Sequence, residues 1–290
     1  MPDTAPRWQI DLEPDDSGAV SPALTLFLVG ARCPFRCIYC DLGEGMLDHA
    51  TPSGSLPAQI RAGIAAATTH CPTIKLYNAA NFFDRRAVPP IDEGAIVEQV
   101  RAYGRVVVEC HPRLIGDRMR RFGAQIDGML EVAMGLESAD PTVLAQLNKA
   151  MTLADYDRAA ETILAAGHEH RAFVLIGAPT VPAEAVIEST VASARYAAGR
   201  GARLVSLIPL RPRPHPSVAM AAPTLAMVES VLEQALLEGL DACVLVDPWD
   251  LQNLRACAHC GPERIRRIEQ MNLSGQIVAP IACDRCAGKP

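Results

Sequence analysis

Aromatic residues make up only 4% of this 290-residue chain, so any core it buries has to be built from aliphatic side chains. The material is there: hydrophobic residues reach 49%, and the length suits one large domain or one domain with a small appendage. Long apolar runs are absent, since nothing approaches the ~20 residues that a membrane-spanning helix needs. Met1 to Asp16 is acidic and polar, unlike a secretory leader. A soluble, cytoplasmic protein without a membrane partner is expected. Excess positive charge is lacking too, with a formal net charge of −6, which argues against a broad electrostatic surface for nucleic acid. Local clusters remain at Arg118, Arg120 and Arg121 and at Arg255, Arg264, Arg266 and Arg267. Either is an RNA-contact candidate, although such clusters are more often a solvated helix face.

Cysteine is not scarce, with ten in the chain, and most stand in clusters. Cys33, Cys37 and Cys40 are spaced C-x3-C-x2-C directly after the apolar run Ala23 to Gly30. A [4Fe–4S] cube takes one thiolate per iron, so three close thiolates hold three corners and leave one iron open. The intervening Pro34-Phe35-Arg36 and Ile38-Tyr39 suit a short loop wrapped around a buried anionic cluster. Zinc fits less well, because it prefers four ligands and the nearest histidine, His49, lacks a ligand-like spacing from Cys40. A structural disulfide fits least in a chain without a secretory signal. Two further pairs, Cys257-x2-Cys260 and Cys283-x2-Cys286, flank an arginine-rich segment near the C-terminus. Paired knuckles of this kind make a closed tetrahedral zinc site, which the spacing favours; four thiolates equally complete a second [4Fe–4S] cluster. Cys71, Cys110 and Cys243 have no partner spacing and read as small buried hydrophobes.

Residues 1–22, rich in Pro, Asp and Ser, read as an extended lead-in with little structure of its own. From residue 23 short apolar runs alternate with helical patterns. The runs are Leu24 to Val29, Thr73 to Tyr77, Arg105 to Val108, Met129 to Met134, Ala172 to Ile176 and Leu204 to Ile208. Their near-continuous Val, Ile and Leu content marks parallel strands covered on both faces by crossover helices. Thr152 to Asp155 reads as a capping box, and Asp140-Pro141 as an N-cap followed by proline at the first helical position. The expected fold is α/β, a (β/α)6 unit over residues 23–240 with a cysteine-rich metal module over 241–290.

The segment Cys33-Pro34-Phe35-Arg36-Cys37-Ile38-Tyr39-Cys40 resembles the signature of the radical S-adenosylmethionine (SAM) enzymes. Within them the chain is most similar to the subgroup around archaeosine synthase and, more distantly, to the Elongator catalytic subunit and the methylthiotransferases. The resemblance covers about residues 24–215. It implies that the six strands curve into a partial barrel and that the open iron chelates SAM. It also implies that a low-potential donor of flavodoxin or ferredoxin type reduces the cluster. SAM is then cleaved to a 5′-deoxyadenosyl radical that takes hydrogen from a substrate, small molecule or tRNA; in the archaeosine type a C–N bond breaks on a deazaguanine base.

The same resemblance assigns positions around SAM. Tyr39 precedes the last cysteine. Asn78, Ala79, Ala80 and Asn81 occupy the place of a glycine-rich element that contacts the SAM amino group, with alanines standing where the family has glycines. Glu137, followed by Ser138, takes the place of the ribose-binding acid, and Lys149 is a candidate for the SAM carboxylate. Ile176 and Gly177 correspond to the adenine-holding strand end. Glu109 and His111, two apart at a strand end, would project to one side and orient substrate or move a proton; a packed pair is the competing reading. Arg211 and Arg213, in the proline-rich stretch Pro209 to Pro216, are candidates for an anionic substrate. A reading from another class is a non-catalytic, zinc-stabilised module whose C-terminal arginines hold RNA or a partner protein.

Overall fold

The computed structural model describes residues 7–14, 18–216 and 218–286. Its centre is one eight-stranded sheet in which the strands follow chain order. The strands are β1 (Arg7–Pro14), β2 (Val20–Phe27), β3 (Thr73–Tyr77), β4 (Arg105–Glu109), β5 (Met129–Glu137), β6 (Glu169–Ile176), β7 (Leu204–Pro209) and β8 (Cys243–Val246). Only the β1–β2 pair is antiparallel. From β2 to β8 every pair is parallel, and the sheet curls into a half-barrel. The intervening helices are α1 (Ser55–Ala66), α2 (Glu93–Val100), α3 (Asp117–Gly123), α4 (Pro141–Gln146), α5 (Leu153–Ala165), α6 (Val186–Gly199), α7 (Leu225–Leu237) and α8 (Gly261–Ser274).

Local chemistry sets the helix starts. Thr152 and Asp155 form the reciprocal capping box of α5, and the Asp140 carboxylate accepts from the Thr142 and Val143 amides ahead of α4. The helices cover the face of the sheet made by Leu24, Leu26, Ile74, Leu76, Val106, Val108, Val132, Met134, Val174 and Leu207, all in one buried cluster. Each such side chain stabilises the fold by ~2 kcal/mol on burial.

The other face differs from expectation. Coverage by apolar residues on both faces is not what the strands show: the inner face carries Thr25, Lys75, Glu131, Arg171 and Ser206, all buried. Arg171 bridges Glu13 and Glu131, Lys75 pairs with Glu13 and Asp11, and Arg105 and Arg203 complete the cage around Glu131. Buried charges at this density persist only when each is paired.

Two edge strands lie outside the six expected. The lead-in is not structureless, because Arg7–Pro14 is β1, and it supplies Asp11 and Glu13 to the inner network. Strand β8 falls in the stretch assigned to the metal module, yet it pairs with β7 as part of the main sheet.

Candidate active site

The loop after β2 carries Cys33, Cys37 and Cys40, each half-buried, at the C-terminal end of the parallel strands where the connecting loops ring one mouth. Two neighbouring segments hold this loop. Asn81, on the β3–α2 connection and 2% exposed, donates from Nδ2 to Cys33 Sγ at 3.2 Å and accepts the His111 amide on Oδ1 at 2.7 Å. On the other side, the Ile38 amide donates to the Leu147 carbonyl at 3.1 Å, and Asn148 Nδ2 donates to the Arg36 carbonyl at 2.7 Å. Asn148 and Ala150 both adopt left-handed backbone (φ 52° and 56°), which turns the chain sharply on either side of Lys149.

That turn buries Lys149 rather than leaving it on the surface. Its Nζ lies 2.7 Å from Glu137 Oε1 and 3.3 Å from the Tyr39 hydroxyl. Glu137 reaches this position because β5 bulges between Gly135 and Glu137 and gives Glu137 a φ of 65°. Gly135 leaves room for this pair, since a Cβ there would overlap Glu137 Oε1 and Lys149 Nζ and displace both side-chain ends. Burial opposes the Lys149 charge, but the Glu137 carboxylate outweighs it and holds the ammonium pKa above its ordinary value. Burial, with the same carboxylate nearby, drives the Tyr39 phenol well above its usual range.

Glu109 and His111 take different hydrogen-bond partners. His111 lies beyond β4, where it caps the short turn Pro112–Leu114, and both ring nitrogens are committed. Nδ1 accepts the Arg113 amide at 3.2 Å, so Nε2 carries the proton and donates to the Lys149 carbonyl at 2.9 Å. Phe35 of the cysteine loop stacks on the ring at 3.7 Å and 16°. Burial, reinforced by the Lys149 charge, lowers the imidazole pKa to about 4. Glu109 instead accepts the backbone N–H groups of Asn78 and Ala79, while burial pushes its pKa up to about 7.

The remaining candidates divide. Glu137, Ser138, Leu175, Gly177 and Ala178 line one narrow cleft, and Gly177 takes a φ of 82° that favours glycine. Ile176 does not line it, because its side chain is fully buried in the core against the helices. Asn78 Oδ1 accepts the Ala80 amide, whereas its buried Nδ2 has no partner. Arg211 pairs with Asp41 at 3.5 Å, and Arg213 with Glu44 at 3.9 Å and the Cys40 carbonyl. Both arginines therefore brace the cysteine loop, while Arg213 also lines an open groove of about 400 Å³ with Pro212, His215 and Met220. The other basic clusters are engaged in part. Arg118 binds Glu93, Arg120 binds Asp117, and Arg264 and Arg267 bind Glu229.

Near the C-terminus, the Sγ atoms of Cys257, Cys260, Cys283 and Cys286 converge to within 4.8 Å of one another, an arrangement able to hold a metal ion. Cys71 and Cys110 are buried with apolar neighbours, as expected of structural thiols. Among the described residues no helix is long and apolar enough to cross a membrane.

Three thiols on one short loop are a donor set of the kind that can hold an iron–sulfur cube by three corners. Burial pushes the Cys40 thiol up to about 11 and Cys37 in the same direction, so these groups ionise readily only against a cation. Glu137, paired with Lys149, lies close enough to influence Cys37, and the loop after β3 carries the buried, unpaired Asn78 amide.

No family model matches the sequence, and no curated protein matches it. Solved structures do. A radical SAM methyltransferase from Sphaerobacter thermophilus superposes with a TM-score of 0.55 at 16% identity, over 82% of this chain and 77% of that one. The fold is shared with radical SAM enzymes. Elp3 of the archaeon Methanocaldococcus infernus (TM-score 0.52, 12% identity) covers 79% of this chain and 61% of its own. SuiB of Streptococcus suis bound to S-adenosylmethionine (0.56, 11%) covers 77% and 51%. The chain thus spans about half to three quarters of these radical SAM structures.

Three features of the mouth are not legible in the sequence: the Asn81 contact to Cys33, the Phe35–His111 stack and the Glu137–Lys149 pair. The only outward sign of the last is Gly135 two residues before Glu137.

Proposed function

We propose that this chain is a radical SAM enzyme. The observation that carries the reading is the position of Cys33, Cys37 and Cys40 in the loop after the first parallel strand, held at the same mouth as Glu137 and Gly177. These three thiolates would hold the [4Fe–4S] cluster through three irons and leave the fourth for SAM. When bound, the pair supplies reductive cleavage of SAM to a deoxyadenosyl radical that abstracts hydrogen from substrate.

The chain's own residues orient and shield. Glu137, fixed by Lys149, would offer carboxylate acceptors to the ribose hydroxyls, with Gly177 and Ser138 in the wall of the same cleft, and Asn78 and Ala79 would meet the amino group. Lys149, while holding Glu137, would supply the positive charge for the SAM carboxylate. Glu109, with its pKa near neutrality, is the group suited to exchange a proton with substrate. His111 positions the loop through Phe35 and Lys149 and is not a proton carrier, because neither ring nitrogen is free.

The archaeosine-type resemblance points to a modified nucleoside or tRNA as substrate, with an electron donor of flavodoxin or ferredoxin type. The competing arginine-faced binding module keeps only Arg255 and Arg266 of its four arginines, since Arg264 and Arg267 are paired with Glu229.

The test is anaerobic incubation of the reconstituted protein with SAM and a strong reductant. Formation of 5′-deoxyadenosine, abolished in Cys37→Ala, supports the reading; no cleavage in a fully iron-loaded protein contradicts it. Adding tRNA bearing deazaguanine bases, or the free nucleosides, should raise the rate if the substrate assignment holds, and deuterium should pass from substrate into deoxyadenosine.

A further inference from the structure

We propose that Cys257, Cys260, Cys283 and Cys286 hold a single tetrahedral zinc ion that fastens α8 over the edge of the sheet, and not an auxiliary iron–sulfur cube. This stands independently of the cofactor reading at the barrel mouth. The four sulfurs lie within 4.8 Å of one another, with Cys260 Sγ 3.7 Å from Cys286 Sγ. One ion with metal–sulfur bonds of ~2.3 Å in a tetrahedron sets sulfur–sulfur edges of ~3.8 Å. A cube places each thiolate on a different iron and spreads the four sulfurs roughly 6 Å apart. The observed spacing has room for one ion and not for four.

The surroundings suit a dianionic tetrathiolate site. Cys260 is the N-cap of α8, so it meets the positive end of that helix. Arg264, one turn on, donates from Nε to Cys260 Sγ at 3.3 Å. The backbone N–H groups of His259 and Cys260 point at Cys257. Four protein thiolates fill a tetrahedron without an open position, which is the structural and not the catalytic pattern.

The centre is tied into the fold by the same side chains. Arg264 and Arg267 both pair with Glu229 on α7. Arg267 Nε also donates to the carbonyls of Val278 and Ala279 at 3.0 and 2.9 Å, which fixes the chain as it returns toward Cys283. At the far end of α8, the Asn272 amide donates to the Val246 carbonyl at 2.7 Å and accepts the Val246 N–H at 2.8 Å. Those bonds satisfy part of the open edge of β8, which otherwise offers a template for strand pairing with another chain. The ion would lock the start of α8 to the chain that follows it, and so hold Asn272 on that edge.

The experiment is metal analysis and thermal unfolding of two full-length proteins, the wild type and Cys33→Ala/Cys37→Ala/Cys40→Ala. The expected result is one zinc per chain in both and iron in the wild type alone. Cobalt exchanged into the triple variant should give the intense visible bands of a tetrahedral tetrathiolate. Stripping zinc from that variant should lower its Tm by several degrees and promote aggregation, both reversed by zinc. Iron retained by the triple variant, either as a cube or as a single ion, would overturn the proposal. So would a metal-free triple variant with unchanged Tm. If the wild type takes up zinc but never iron, the reading at the barrel mouth fails while this one stands.

Discussion

Asn81 joins three parts of the site with one side chain. Its Nδ2 reaches Cys33 Sγ, its Oδ1 holds the His111 backbone, and His111 in turn supports Phe35 of the cysteine loop. A hydrogen bond to a cluster sulfur stabilises the reduced, more negative state. Asn81→Leu should therefore retain iron yet shift the cluster potential to more negative values in an anaerobic redox titration; an unchanged potential would remove Asn81 from this role. Gly135 makes a second residue-scale case. Gly135→Ala pushes Glu137 and Lys149 apart, and SAM binding should weaken by about tenfold or more in calorimetry while the far-UV circular dichroism spectrum stays native. The sequence exposes Glu137 and Lys149 separately, but not their pairing. A β-bulge and two left-handed residues around Lys149 bring them together, and residue type signals this only weakly: Gly135 and Asn148 suit such backbone, whereas Ala150 and Glu137 do not announce it.

Strand β1 shows what hides an element from sequence reading. Trp8, Ile10 and Leu12 alternate with Gln9, Asp11 and Glu13, which is a period-two pattern, but flanking prolines and acids give it the look of a linker. Its acids face Lys75 and Arg171, so the strand completes an inner face that the apolar runs did not foreshadow. Glu13→Ala should cost ~3 kcal/mol, because it takes one of two carboxylate partners from each of two buried cations, leaving Lys75 only Asp11 and Arg171 only Glu131; a denaturant midpoint shifted by much less would contradict this. Acid should act on the same network. Burial alone would raise the Glu131 pKa, but Arg171 and Arg203 outweigh it and hold it at about 2, below the ordinary 4.5. Its contribution is thus complete above about pH 4.5 and is lost as pH falls toward 2. Unfolding monitored between those values should become progressively easier, and Glu131→Gln should flatten that dependence.

At the scale of the molecule, the alternation of strands with helices was enough to expect a parallel sheet, while its curl, with functional groups at one mouth, followed only from the resemblance carried by the cysteine segment. The helix-facing half of each strand, such as Val106 and Val108 or Val132 and Met134, carried that signal. The strand count and the charged inner face were hidden, since pairing partners such as Glu13 and Arg171 lie far apart in the chain and coincide only after folding. The central claim is that three thiolates at the mouth hold a cluster whose remaining iron binds SAM. Electron paramagnetic resonance of the anaerobically reconstituted, dithionite-reduced protein tests it directly. The account predicts a [4Fe–4S]⁺ signal that is absent from the Cys33→Ala/Cys37→Ala/Cys40→Ala variant and whose g values change when SAM is added. A signal that persists in that variant, or one that SAM leaves unaltered, would contradict it.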